Sequence, residues 1–200
     1  MIAWECKEGW HLDNKYMIDR LKKAGISFES GMSDAELDRA EIAYQFRFPK
    51  EIREFLSCGV PFGSTFFNYR DLSEENLARF QRFQASIERS FRFDLENNRD
   101  DLMELLCEAL CFDHHSEPFD DAILEYLHQS VKLIPFYGHR CFFDGMDDMP
   151  IVSFWQPTDT IFYGGTFENY LEVEFLKKQR FLENIPERMK DTGIWAHLIG

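Results

Sequence analysis

The sequence predicts an α+β domain with a mainly antiparallel sheet and packed helices. Three observations predict it. First, a succession of short β-branched and aromatic runs lies between turn residues: Val131–Pro135, His139–Phe143, Ile151–Trp155 and Thr160–Tyr163. Asp144-Gly145 and Pro157-Thr158-Asp159 separate them, the pattern of antiparallel strands. Second, Thr166 can cap a helix whose Phe167, Tyr170, Leu171 and Phe175 share a face, and that face must cover the sheet just formed. Third, the chain before this block is mostly amphipathic helix. With 21 Phe and 44% hydrophobic residues, one domain over 1–200 can bury a large aromatic core without disulfides. Its core is expected at about 31–176, with an N-terminal helical segment (1–30) and a C-terminal helical tail (177–200).

The elements follow in order. Asp13 or Asn14 caps a helix through Met17, Ile18, Leu21 and Ala24, and Gly25 stops it. Ser33 and Glu36 form a capping box, stapled by Met32 and Leu37, and Ala40 and Tyr44 continue the inward stripe. Phe46 and Phe48 sit on an extended link. Pro49 suits the first position of a helix carrying Ile52, Phe55 and Leu56 and ending at Gly59. Pro61 and Gly63 mark a loop, and Phe66–Asp71 reads as an early strand. Glu74–Ile87 is helical, and Ser90–Leu95 reads as a strand with Phe91 and Phe93 on one side. Asp100–Leu110 is an amphipathic helix with Leu102, Leu105, Leu106, Ala109 and Leu110 inward. Pro118–Gln129 is another, with Phe119, Ile123, Leu124 and Leu127 inward. Lys177–Arg180 ends the helix capped by Thr166. Pro186 starts a last short helix, and Trp195, Leu198 and Ile199 tuck the C-terminus onto the core.

Charge excludes some partners. The net charge is −14, which repels nucleic-acid backbones and anionic membranes and suits a basic protein partner. No apolar run reaches membrane-spanning length. Glu5, Lys7 and Glu8 interrupt any leader-like apolar core. The five cysteines (Cys6, Cys58, Cys107, Cys111, Cys141) are odd in number and lack a CxxC spacing, so free thiols in a reducing cytoplasm are expected.

The stretches GMSDAELDRAEIAYQFRFPKEIREFLSCGVP, NYRD, FDLENN, LIPFYGHR and SFWQPTDTIFYGGTFENYLEVEF occur in that order between Gly31 and Phe175. Together they resemble the SMI1/KNR4 (SUKH) superfamily. The resemblance implies an α+β fold and a non-enzymatic, protein-binding role. Bacterial members are often immunity proteins that neutralise polymorphic toxins, and fungal members regulate cell-wall synthesis through signalling partners. It also marks Pro135, Tyr137, His139, Arg140, Asp159, Tyr163 and Gly164 as motif residues, of which Tyr137, His139 and Arg140 are expected to fix the turn and sheet edge. After FDLENN the chain departs from the family pattern. RDDLMELLCEALCFDHHSEPFDD stands where members usually carry a Trp-rich segment, which implies a partner surface of its own.

The charge is concentrated there. Asp94 to Glu125 holds eleven acids against the single Arg99. The bland reading is a solvated helix face with acids near helix N-termini. Ordinary solvated faces interleave signs, however, so Asp100, Asp101, Glu104, Glu108, Asp113, Glu117, Asp120 and Asp121 are the candidate partner-binding residues. Cys107, Cys111, Asp113, His114 and His115 could suggest zinc, but the knuckle spacing is missing and no metal or cofactor is expected. His139, Cys141 and Asp159 could suggest a nucleophile, base and orienter, with His139 and Cys141 two apart on one strand face. Asp in a Pro-Thr-Asp turn is expected for local hydrogen bonding alone, so no catalytic residue is assigned. Gly164-Gly165 lacks phosphate-loop spacing and reads as a tight strand-to-helix turn. The expected function is an intracellular immunity protein that occludes a basic toxin domain. The alternative is a cytoplasmic regulator or adaptor of the same fold.

Overall fold

The structure is a computed structural model and describes residues 13–110 and 119–199, without the side chains of 108–110 and Pro186. Residues 1–12, which include Cys6 and the start of the expected N-terminal segment, lie outside the described residues. So do Cys111, Asp113, His114, His115, Glu117 and Pro118.

Helix α1 (Asn14–Lys23) starts where the Asp13 carboxylate accepts from Tyr16 N at 3.1 Å, and it buries Met17, Ile18 and Leu21. Strand β1 (Ser27–Ser30) then pairs antiparallel with β2 (Gly59–Phe62). Neither strand is expected from sequence. Gly59 and Pro61 in β2 carry the residues of a loop, but an edge position tolerates both. Between them lie α2 (Asp34–Tyr44) and α3 (Lys50–Cys58). The Ser33–Glu36 capping box is present in full, and Leu37, Ala40 and Tyr44 are buried. Pro49 precedes α3 as its cap rather than filling its first turn.

Phe66–Asp71 is not a strand. Only Phe66 bridges to Tyr137, and Phe67 N donates to Phe136 O at 3.0 Å. Asn68 then turns the chain, accepting from Arg70 N on its side chain. Ser90–Leu95 is not a strand either. It continues α4 (Glu74–Asn97), a single 24-residue helix. Ile87, Phe91 and Leu95 recur every four residues and are buried, while Phe93 is 51% exposed. In a strand Phe91 and Phe93 would share a side, whereas two residues along a helix they point apart.

Helix α5 (Arg99–Leu110) buries Leu102, Met103 and Leu106 and leaves Leu105 outward, a rotation from the expected stripe. Helix α6 (Phe119–Gln129) buries Phe119, Ile123 and Leu124. Four strands follow as an antiparallel meander: β3 (Leu133–Tyr137), β4 (Arg140–Phe143), β5 (Ile151–Gln156) and β6 (Asp159–Gly164). Helix α7 (Phe167–Leu176) starts at Thr166, whose Oγ1 accepts from Asn169 N at 3.1 Å. Short helices α8 (Ile185–Met189) and α9 (Trp195–Leu198) close the chain, with Trp195, Leu198 and Ile199 buried.

The meander is covered on both faces, which explains the continuous buried runs of β3, β4 and the first four residues of β5. Ile134, Phe136, Phe142 and Ile151 face one cluster with α1, α2, α3 and α7. Leu133, Cys141, Phe143, Val152 and Phe154 face a second cluster with α5, α6, α8 and α9. The first cluster is rich in aromatic rings. Tyr44 meets Phe80 edge-on at 5.2 Å, and Phe48 meets Tyr69 at 5.1 Å. Helix α4 enters both, with Phe80 in the first and Ile87, Phe91 and Leu95 in the second. Among the described residues no helix is long and apolar enough to cross a membrane.

The loop between β4 and β5 is stitched to the start of α3. Arg47 N donates to Asp144 at 2.8 Å, Lys50 N to Asp147 at 2.7 Å, and Asp148 N to Glu51 at 3.1 Å. Burial, and then the neighbouring Asp148 and Asp147 carboxylates, push the Glu51 carboxyl up to about 7. The folded protein therefore holds a proton that the unfolded chain releases nearer pH 4.5. The stability this contributes is full below that lower value and is lost as the pH rises through 7. Glu51→Gln should accordingly gain about 1–2 kcal/mol over the parent at pH 8, after allowing for solvent screening at this partly exposed site, and little at pH 4.5. Urea titrations at the two pH values measure it. A difference independent of pH removes the proton from this account.

Candidate functional site

The acidic candidates gather at one corner. Burial of Leu102, Met103 and Leu106 turns Asp100, Asp101 and Glu104 to solvent on α5. Burial of Phe119, Ile123 and Leu124 does the same for Asp120 and Asp121 on α6. Arg99 ties the two helix starts together, with its guanidinium paired to Asp120 and lying 5.3 Å over the Phe119 ring. Four acids thus stand in the first turns of two neighbouring helices, where the helix dipole favours them. Among the described residues, no other lysine or arginine forms an ion pair with Asp100, Asp101, Glu104, Asp120 or Asp121. The Glu108 side chain, Asp113 and Glu117 lie outside the described residues.

One acid in the run does not belong to the surface. Asp94 is fully buried. Its carboxylate accepts from Thr158 N at 2.9 Å, Thr158 Oγ1 at 2.8 Å and Asn98 Nδ2 at 2.8 Å. It pins the β5–β6 turn to the corner between α4 and α5.

Three of the seven motif residues, His139, Arg140 and Tyr163, meet at the Arg140 guanidinium. Its Nε bonds Glu174 of α7 at 3.0 Å, and its Nη1 bonds Ser153 Oγ at 2.9 Å and also contacts His139 Nε2. Its guanidinium lies 3.6 Å over the Tyr163 ring, and Arg180 approaches the same ring at 5.6 Å. The Arg140–Glu174 pair is only 12% and 17% exposed, so these charges neutralise each other inside the rim. Tyr137 packs between Phe66 at 4.6 Å and Phe175 at 5.1 Å. Pro135 and Gly164 act through the backbone. The Pro135 carbonyl accepts from the Tyr69 hydroxyl. A Cβ on Gly164 would stand 2.5 Å from Tyr170 Cα, so only glycine lets α7 sit this close. Asp159 stands apart and exposed at the head of β6.

The arrangement does not assemble a nucleophile. His139 lies in the two-residue β3–β4 turn behind Gly138, whose φ is +57°, and β4 begins at Arg140. The expected shared strand face with Cys141 is therefore lost. Cys141 is buried in the second cluster, its Sγ reaching only the His139 carbonyl at 3.7 Å. Burial pushes its thiol far above the ordinary range. Burial and then the adjacent Arg140 lower the His139 pKa, so its ring is neutral near pH 7. Among the described residues, no group of three or more His, Cys, Asp or Glu side chains could hold a metal ion, and Cys107 is half-buried on α5.

Sequence reasoning missed one surface feature. Trp155, 68% exposed, stands on the rim with the His139 ring edge-on at 5.7 Å. Ile161 on β6 is also exposed, at 38%. Alternation along β5 was the available signal: with Phe154 inward to the second cluster, Trp155 faces the other way. Compared with known protein families, curated proteins and solved structures, the chain finds no match.

Proposed function

We propose that this chain is a non-enzymatic protein-binding domain of SMI1/KNR4 type, an intracellular immunity protein that neutralises a basic toxin domain by covering it. The observation that carries the reading is the corner of α5 and α6, where acids from two helices face outward around the single Arg99. Uncompensated charge on rigid helices suits a cationic surface such as the substrate groove of a nuclease. It would raise the association rate by roughly 10–1,000-fold at low salt. Occlusion needs no chemistry from the chain, in keeping with the buried Cys141 and the turn-bound His139.

Co-expression with the toxin gene beside it, where there is one, tests the proposal. The triple variant Asp100→Lys/Asp101→Lys/Glu104→Lys should abolish protection and slow association at least 100-fold at low salt. Its thermal unfolding should fall only modestly, because all three side chains are solvent-facing and only the helix-dipole contribution of Asp100 and Asp101 is reversed. Undiminished protection by this variant counts against the acidic corner. Capture of a signalling or cell-wall enzyme in place of a toxin favours the regulator reading.

A further inference from the structure

Electrostatic attraction draws a partner in, but affinity needs a buried anchor, commonly Trp, Tyr or Arg. At the acidic corner the one such side chain among the described residues, Arg99, is tied to Asp120, whereas the sheet rim carries an exposed tryptophan. Trp155 is the most exposed aromatic ring among the described residues, and its surroundings are stiff. Arg140 beneath the rim is fixed by Glu174, Ser153 and the Tyr163 face.

The local charge selects what can stack there. Arg140 is cancelled by Glu174. The exposed carboxylate at this end of the sheet is Asp159, which pairs across the β5–β6 turn with Gln156, the residue after Trp155. An exposed indole at a strand end that also carries a carboxylate favours a cation.

Rim and corner are also close together along the chain. Trp155 lies three residues before Thr158, which Asp94 holds, and Asp100 lies six residues beyond Asp94. The chain path limits their separation to roughly 30 Å. A standard interface covers about 800 Å² per partner, roughly 30 Å across.

We infer that Trp155 is the anchor of the partner interface and takes a lysine or arginine side chain of the same basic protein that the acidic corner attracts, an inference that rests on the proposed partner role. Deca-arginine serves as a defined cationic probe, with deca-glutamate as control, and binding is followed by calorimetry at low salt. The parent should bind deca-arginine and not deca-glutamate. Trp155→Ala should weaken binding about tenfold and Trp155→Phe by less, with unfolding unchanged because the ring is exposed. The Asp100→Lys/Asp101→Lys/Glu104→Lys variant should lose binding. If that variant loses binding while Trp155→Ala matches the parent, the anchor is overturned and the acidic corner stands. If the parent ignores deca-arginine, or the triple variant binds as well as the parent, the acidic-corner reading falls and the anchor with it.

Discussion

Replacing Trp195 by alanine is expected to lower stability by about 4 kcal/mol, the largest single effect anticipated for a described side chain. The indole is 1% exposed and is the largest fully buried side chain. Phe91 of α4 meets it edge-on at 5.9 Å, and Phe154 of β5 does so at 5.6 Å. Its Nε1 donates to Val131 O at 2.7 Å, holding the chain just ahead of β3. Truncation removes the packed volume, both ring contacts and the donor together. Trp195→Phe keeps much of the volume and should cost about 1–2 kcal/mol, chiefly the carbonyl left unpaired. Urea unfolding measures both. A loss below 1 kcal/mol for the alanine variant would show that the C-terminal helix is an appendage, not part of the second cluster.

The second large effect is expected at Asp94. Asp94→Ala should cost about 3 kcal/mol, because one carboxylate satisfies three donors away from solvent. Asp100→Ala, six residues on and exposed, should change stability by no more than about 0.5 kcal/mol. A double-mutant cycle with Thr158→Val isolates the link, and a coupling near zero would contradict the hydrogen-bond account. The contrast bears on function, since an acidic run is not one surface. Asp94 fastens the β5–β6 turn, whereas the exposed acids after it are the ones proposed to meet a partner.

Local chemistry is legible in the chain wherever one residue decides the outcome. Asp13, Ser33 with Glu36, and Thr166 cap their helices as their side chains require. Turn residues delimit the four meander strands to within two residues. What stays hidden depends on partners distant in sequence. Strand β1 is short and mostly exposed, and only its register with Gly59–Phe62 makes it a strand. Phe91 and Phe93 fit either period locally, and the second cluster resolves them by burying one and exposing the other. Leu105 faces solvent because Met103, a residue that adapts to irregular gaps, fills the interior instead. The candidate site divides in the same way. The outward acids follow from helical periodicity, whereas Asp94 and Trp155 take their roles from the meander's placement against α4.

Helix α4 is about 36 Å long and belongs to both clusters, so neither cluster is mechanically independent. Its far end is gripped by aromatic rings, and its near end carries the turn into α5. The corner proposed to meet a partner is therefore mounted on a beam clamped at the opposite side of the molecule. Little entropy remains there to be surrendered when another surface closes over it.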